Sequence, residues 1–344
     1  MSFLAVRSVF KRGLSKVATI KDVAKLAGVA VSTASYALNN VNKVSPATMK
    51  KVQEAARELN YFKNGFASDL KRTKTNTIAL ILRDLSGPFY SELIKGVQEV
   101  TTANGYDLIA CSSVGGAQST AAKFLKEKRV DGAIILAHNI TNDIVLESAR
   151  EGFPIVVLDR KLDHEFVYQV EVDNIHGGYA ATEYLINKGH REIGYVSGPM
   201  NSHDNEMRFD GYMSALKDHG IQYQNKWKLS GDFTREGGYR ATKMLIAQRQ
   251  LPEAIFYAND EMAIGGLQAF KENKISVPED ISIIGYDDIQ LAEYVSPPLT
   301  TVRQPKYEVG ALAVHVVFQA LAKEDSVENY YNLSTEIVER KSVK

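Results

Sequence analysis

The side chains with the clearest capacity for chemistry are acids, amides and rings set in short loops behind apolar runs. They stand in Leu85-Ser86-Gly87-Pro88-Phe89-Tyr90, Asp159-Arg160, Asp232-Phe233, Ala258-Asn259-Asp260, Tyr286-Asp287-Asp288 and Arg303-Gln304. One Asp accepts from two neighbouring hydroxyls, and Asn or Gln both donates and accepts. A ring such as Phe89 or Phe233 can cover the apolar face of a sugar, so the set suits a polyol. Bond-making motifs are missing: there is no G-x-G-x-x-G, P-loop, G-x-S-x-G or H-E-x-x-H. His203-Asp204-Asn205-Glu206 reads as a loop with no second His nearby, and His138, His164, His176 and His190 read as scattered, solvated loop positions. The expectation is a binding protein rather than an enzyme, with no cofactor and no metal.

Those loops need a frame, and the text between them supplies one. IALILRD, YDLIACSS, DGAIIL and FPIVVLDR read as buried strands, with amphipathic helices over 89–104, 117–128 and 143–151 between them. The pattern restarts with helix 177–188, strand REIGYVSG, helices 206–219 and 234–249, strand EAIFYAND, helix 262–271 and strand ISIIGYDD. Strands alternating with helices imply parallel sheets with right-handed crossovers, here two of them. In such sheets ligands lie beyond the carboxyl ends of the strands, where the acid-bearing loops fall.

The first part of the chain differs in charge. Residues 1–77 carry 14 Lys and Arg against 4 Asp and Glu, so the net charge of zero conceals a basic module on an acidic body. Charge alone fits either a polyanion partner for that module or a solvated basic face. From Thr19, TIKDVAKLAGVAVSTASYALNN spaces Ile20, Val23, Ala24 and Ala27 for a helix, with Thr19 as N-cap, Asp22 in the first turn and Gly28 as stop. A second helix over about 32–38 and a third over 46–59, opened by Ser45-Pro46, complete a small core. Two short helices about a Gly-centred turn are the sequence form of a helix-turn-helix, which spacing alone does not separate from a generic helical hairpin.

TIKDVAKLAGVAVSTASYALN followed by VSPATMKKVQEAARELNY resembles the headpiece of the LacI/GalR (lactose/galactose repressor) family. The resemblance implies an all-α helix-turn-helix headpiece plus an α/β periplasmic-binding-protein-like core of two doubly wound subdomains. It implies double-stranded operator DNA, a small-molecule effector, expected to be a carbohydrate or related polyol, and a homodimer. By position, Val31, Ser32 and Tyr36 would face base edges in the major groove, with Thr19, Thr33, Ser35 and Asn39 toward phosphates. Tyr36 departs from the Arg many members carry there, so the operator sequence does not transfer. Asn64, Ala67, Leu70 and Lys71 match a hinge helix, Leu70 as its minor-groove wedge. Phe89 and Phe233 are carried over as stacking contacts of the effector, and Asp159, Asn259, Asp287 and Gln304 as polar ones. Asp260 and Asp288 read as strand-end or capping residues. A further departure is Glu206, where many sugar-responsive members carry Arg, which reads as an acidic group added to the site; Arg208 keeps the other common Arg.

The expected organisation is an extension at 1–18, a headpiece at 19–63, a hinge at 64–75 and a core at 76–344. Within the core, subdomain 1 takes about 76–173 and 305–333, and subdomain 2 about 174–304 and 334–344. Residues 1–16 read as a segment upstream of a native start at Val17, or else as a basic arm. Helix 313–324 reads either as dimer interface or as plain core. No apolar run approaches the roughly 20 residues of a membrane span, and the single Cys111 suits a reducing cytoplasm. The rival reading is a solute-binding protein of a transport system, which the basic headpiece argues against.

Overall fold

The protein was described from a computed structural model, which covers residues 18–39, 43–61, 74–200, 202–324 and 327–344. It divides into two units, residues 1–73 and 74–344.

The first unit contains helices α1 (Ile20–Ala27), α2 (Val31–Leu38) and α3 (Pro46–Glu58). Asp22 folds back on the start of α1, its Oδ2 accepting from Thr19 N at 2.8 Å and Thr19 Oγ1 at 2.7 Å. Gly28 ends α1 at φ +66°, a left-handed turn that glycine adopts without steric penalty. Ser45 caps α3, its Oγ accepting from Thr48 N at 3.2 Å. Val23, Ala24, Ala34, Ala37, Val52, Ala55 and Ala56 form the core. The small alanines let three short helices pack closely.

The second unit has two six-stranded sheets. The chain runs β1 (Thr77–Leu82), α4 (Tyr90–Ala103), β2 (Asp107–Ser112), α5 (Thr120–Lys126), β3 (Gly132–Leu136), α6 (Asn142–Ser148), β4 (Ile155–Val157) and β5 (Val167–Val172). It then forms α7 (Asn174–Asn187), β6 (Ile193–Ser197), α8 (His203–Asp218), β7 (Lys228–Ser230), α9 (Arg235–Ala247), β8 (Ala254–Tyr257), α10 (Asp260–Glu272), β9 (Ser282–Asp287), α11 (Leu291–Tyr294) and β10 (Thr300–Arg303). Last come α12 (Lys306–Ala322), β11 (Tyr330–Leu333) and β12 (Glu336–Val338). The first sheet, ordered β11-β5-β4-β3-β1-β2, is parallel throughout. The second, β12-β10-β9-β8-β6-β7, is parallel except for β12 at its edge.

Helices on both faces explain the unbroken apolar strands. In β1, Ile78, Leu80 and Leu82 pack toward α4 and α12, while Ala79 and Ile81 enter the other core with α5 and α6. Each such Ile or Leu contributes roughly 1.5–3 kcal/mol by leaving water. Helix α12 buries one face in this core through Val309, Ala313, Val314, Val316 and Val317.

The chain passes between the sheets three times, after β5, after β10 and after β11. Sequence periodicity does not mark β5, β7 or β10. In β5, Gln169 and Glu171 interrupt the apolar run, and β10 buries Thr300 and Thr301 where a hydrophobic pattern would require apolar residues. Thr301 Oγ1 satisfies itself by donating to Asp260 Oδ1 at 2.6 Å.

Candidate functional site

A cleft of about 490 Å³ opens between the two sheets at the carboxyl ends of their strands. One wall carries Arg83, Asp84, Phe89, Tyr90 and His138 from the loops after β1 and β3, and Asp159 after β4. The other carries His203, Asp204 and Arg208 of α8, Asp232 and Phe233 after β7, Asn259 after β8, and Asp287 ending β9.

Arg208 organises the second wall. Its guanidinium is buried, donates from Nε to Asn174 Oδ1 at 2.8 Å and from NH1 to Ala258 O at 2.6 Å, and stands 3.6 Å from Asp287 Oδ1. Its carbon centre lies 3.8 Å from the Tyr286 ring centroid and 5.8 Å from that of Phe233. The helix pair α7 and α8 holds it there. A Cβ on Gly178 would stand 2.2 Å from Arg208 O, and one on Gly211 2.1 Å from Ile175 O, so only glycines permit this approach.

Asp204 stands one turn before Arg208 and shares its face of α8. Its Oδ1 accepts from Asn174 Nδ2 at 3.1 Å. Burial pushes its carboxyl up to about 6, against the pull of Arg208. Asp287 is likewise raised by burial, with Arg208, Lys306 and a Gln304 hydrogen bond opposing. Asp159 is held bidentately by Arg160, through Nε at 2.8 Å and NH2 at 3.1 Å. The His138 imidazole is pushed down, first by burial and then by Arg83.

Of the residues expected to hold an effector, the cleft brings together Phe89, Asp159, Phe233, Asn259 and Asp287. Gln304 is not among its lining. It lies behind Asp287, donating from Nε2 to Asp287 Oδ1 at 2.6 Å. Asn259 is partly committed, with Nδ2 donating to Phe233 O at 3.0 Å and Oδ1 accepting from Met262 N at 3.0 Å. Asp260 accepts from Ile289 N at 2.9 Å and Asp288 pairs with Arg303 and Arg340, so both act within the fold.

Three expectations are corrected. Residues 203–206 open α8, with Ser202 as cap, and are not a loop. Glu206 is exposed and outside the cleft lining, two residues out of helical phase with Arg208; Asp204 supplies the acidic group instead. His190 is buried rather than solvated and His176 lies within α7 rather than in a loop, whereas His138 keeps its loop position and lines the cleft. Arg83, Asp84, His138, His203 and Asp204 line the cleft without having been expected there. The i, i+4 spacing of Asp204 and Arg208 was the one available signal.

In the first unit, Val31, Ser32, Tyr36 and Asn39 are exposed and Thr33 and Ser35 half-buried along α2. Lys43 Nζ sits 5.3 Å from the Tyr36 ring centroid. Asn39 Nδ2 donates to Ser35 O at 2.8 Å. Asn64, Ala67, Leu70 and Lys71, with the extension at 1–16, lie outside the described residues.

A chain that carries both a helix-turn-helix unit and a two-sheet cleft falls in a regulator class, and comparisons narrow it. The profile of bacterial regulatory proteins of the lacI family matches residues 19–64, and a periplasmic binding protein-like domain matches 182–343. The second match runs to within one residue of Lys344, so it takes in α12, β11 and β12. The HTH-type transcriptional repressor PurR of Photobacterium profundum is 37% identical over 330 residues, covering 95% of this chain and 99% of that protein. The ribose operon repressor of Escherichia coli is also 37% identical over 330 residues, covering 94% and 99%. A solved complex of the transcriptional regulator CelR with cellobiose has a TM-score of 0.71 at 30% identity, covering 94% of this chain and 99% of that one. The chain belongs to the lacI family of bacterial regulatory proteins. It is a DNA-binding transcriptional regulator, and the match over residues 19–64 disfavours the transport reading. No described helix is long and apolar enough to cross a membrane.

Proposed function

We propose that the chain is a cytoplasmic homodimeric repressor whose affinity for operator DNA is set by an unphosphorylated sugar or related polyol held between its two subdomains. The observation that carries this reading is the cleft, where acids and guanidinium groups interleave with the rings of Phe89, Tyr90 and Phe233. Asp159 and Asp287 would accept ligand hydroxyls, Arg208 and Asn259 would donate, and the two Phe rings would cover the apolar face. On DNA, the exposed side of α2 would enter the major groove, Tyr36 placing a ring and one hydroxyl where an Arg fork would read guanine. Two headpieces on one dimer would then select a pseudo-palindrome. The effector acts by preferring one relative rotation of the subdomains.

A thermal-shift screen over sugars, sugar phosphates, nucleosides and polyols tests the cleft, since a ligand that binds only the folded state raises the melting temperature by mass action. The tightest binder should bind Asp287→Ala at least about tenfold more weakly, the loss of one charge-assisted hydrogen bond. Equal binding by that variant would refute the cleft as the site, and a binder confined to sugar phosphates would refute the ligand class. Selection of duplexes from a random pool, followed by anisotropy titration at two salt concentrations, tests the DNA reading: sequence preference and salt-dependent affinity are expected.

A further inference from the structure

Lys306 lies outside the residues that line the cleft, yet its ammonium touches the supports of both walls. It is the first residue of α12, set by the tight turn at Pro305 in which Lys306 N donates to Gln304 O at 2.8 Å. The side chain is 2% exposed. Its Nζ donates to Asp287 O at 2.5 Å and to Asp288 O at 3.1 Å, and stands 3.3 Å from Glu92 Oε2. Two of the three ammonium protons go to these carbonyls, and the Glu92 carboxylate stands within ion-pair distance.

The partners belong to different bodies. Asp287 and Asp288 end β9 in the second sheet's subdomain, whereas Glu92 is in the first turn of α4, just after the cleft residues Phe89 and Tyr90. Asp287 also carries φ +111° and Asp288 φ +51°, backbone conformations that non-glycine residues seldom adopt. Both strained peptides direct their carbonyls at the same cation. Strain of this kind persists where its surroundings over-determine it, and here a buried charge does so.

We propose that Lys306 is a positioning residue with two roles: it holds Asp287 in the conformation that presents its carboxylate to the cleft, and it straps the end of β9 to α4 so that the two subdomains keep one registration. The first role rests on the cleft being the effector site; the second does not.

The test separates them. In a Cys111→Ser background, spin labels at Glu147→Cys and Lys271→Cys, both exposed and one on each subdomain, report the inter-subdomain distance distribution in the ligand-free protein. Lys306→Met should at least double its width, and Lys306→Arg, which keeps donors and charge, should restore most of the narrowness. Glu92→Gln, at a half-exposed side chain that folding tolerates, should broaden it as well. An unchanged width in Lys306→Met and Glu92→Gln overturns the strap. Calorimetric titration with the tightest binder from the screen tests the other role. Lys306→Met should weaken binding about tenfold, while Glu92→Gln, which leaves both carbonyl contacts in place, should stay within about threefold. Equal affinity for Lys306→Met and wild type overturns the positioning of Asp287. If wild type binds none of the screened compounds, the cleft reading and the first role fall together, and the distance measurement still decides the strap.

Discussion

Arg208→Met removes a charge from the centre of the cleft while keeping an unbranched side chain of similar length. Asn174 Oδ1 and Ala258 O lose their donor, and the buried Asp287 carboxylate loses its nearest guanidinium. Removing one partner of a buried pair costs about 3–5 kcal/mol, because the remaining charge stays desolvated. For a unit of this size each kcal/mol lowers the melting temperature by about 2–4 °C, so the expected loss is on the order of 10 °C. The variant should also show a pH signature. The Asp287 carboxyl is already raised by burial and held in check first by Arg208. Without that cation it rises further. A carboxyl raised in the folded state contributes stability at low pH that is lost as pH climbs through its folded value. The deficit of Arg208→Met should therefore shrink between pH 7.5 and pH 5. Urea unfolding followed by the fluorescence of Trp227, the single tryptophan and buried in the same subdomain core, measures both effects. Arg208→Lys, retaining charge without the fork, should recover part of the loss. A stability within about 1 kcal/mol of wild type, the range of an exposed ion pair, would refute the assignment of Arg208 as the organiser of this wall.

Other consequences are as concrete. Asp204, pushed up to about 6 by burial, contributes stability below its unfolded value that is lost as pH rises through 6. Asp204→Asn should therefore melt progressively higher than wild type between pH 5 and 7.5, and parallel pH profiles for the two proteins would sink that reading. Gly211→Ala would place a Cβ 2.1 Å from Ile175 O and should destabilise by about 3 kcal/mol or more through forced separation of α7 and α8. Gly220→Ala, whose Cβ meets nothing but whose φ is +65°, should cost only about 1–2 kcal/mol, and thermal unfolding of the two variants side by side checks the order. Tyr36→Ala should lose about 1–3 kcal/mol of discrimination among selected duplexes with little change in salt dependence, as anisotropy titrations would reveal. Unchanged discrimination would remove Tyr36 from base reading.

Legibility followed the physics of burial. Strands flanked by helices on both faces, such as β1 and β3, announce themselves because, Thr77 at the edge apart, no polar side chain interrupts them. The three helices of the headpiece were legible from caps and stops at Thr19, Gly28 and Ser45. β10 was hidden because its buried hydroxyls find distant partners: Thr301 Oγ1 donates to Asp260, 41 residues away, and Thr300 Oγ1 accepts from Arg340 N at 2.9 Å, 40 residues away. At the cleft, strand-end acids and rings were readable, since topology alone sends them there. Helix phase was not: Glu206 stands out only against the family pattern, and a helix begun at 206 instead of 203 leaves Asp204 in a loop and hides its i, i+4 relation to Arg208. Gln304 and Lys306 were equally opaque, because whether a polar group faces ligand or supports one that does depends on packing depth, which no spacing encodes.

The three passages of the chain between the sheets bear on how the protein is made. The first sheet's subdomain begins at β1 but depends on α12, which fills one of its faces, and on β11, which pairs with β5 at its edge. Val309, Val314 and Val317 are thus missing from that core until the second sheet has almost wholly been synthesised. The early half must wait with Ile78, Leu80 and Ile134 covered on that face by α4 alone, a state that invites association with other chains. A polypeptide cut after β10 would retain every residue lining the cleft and still lack a closed core to support one wall of it.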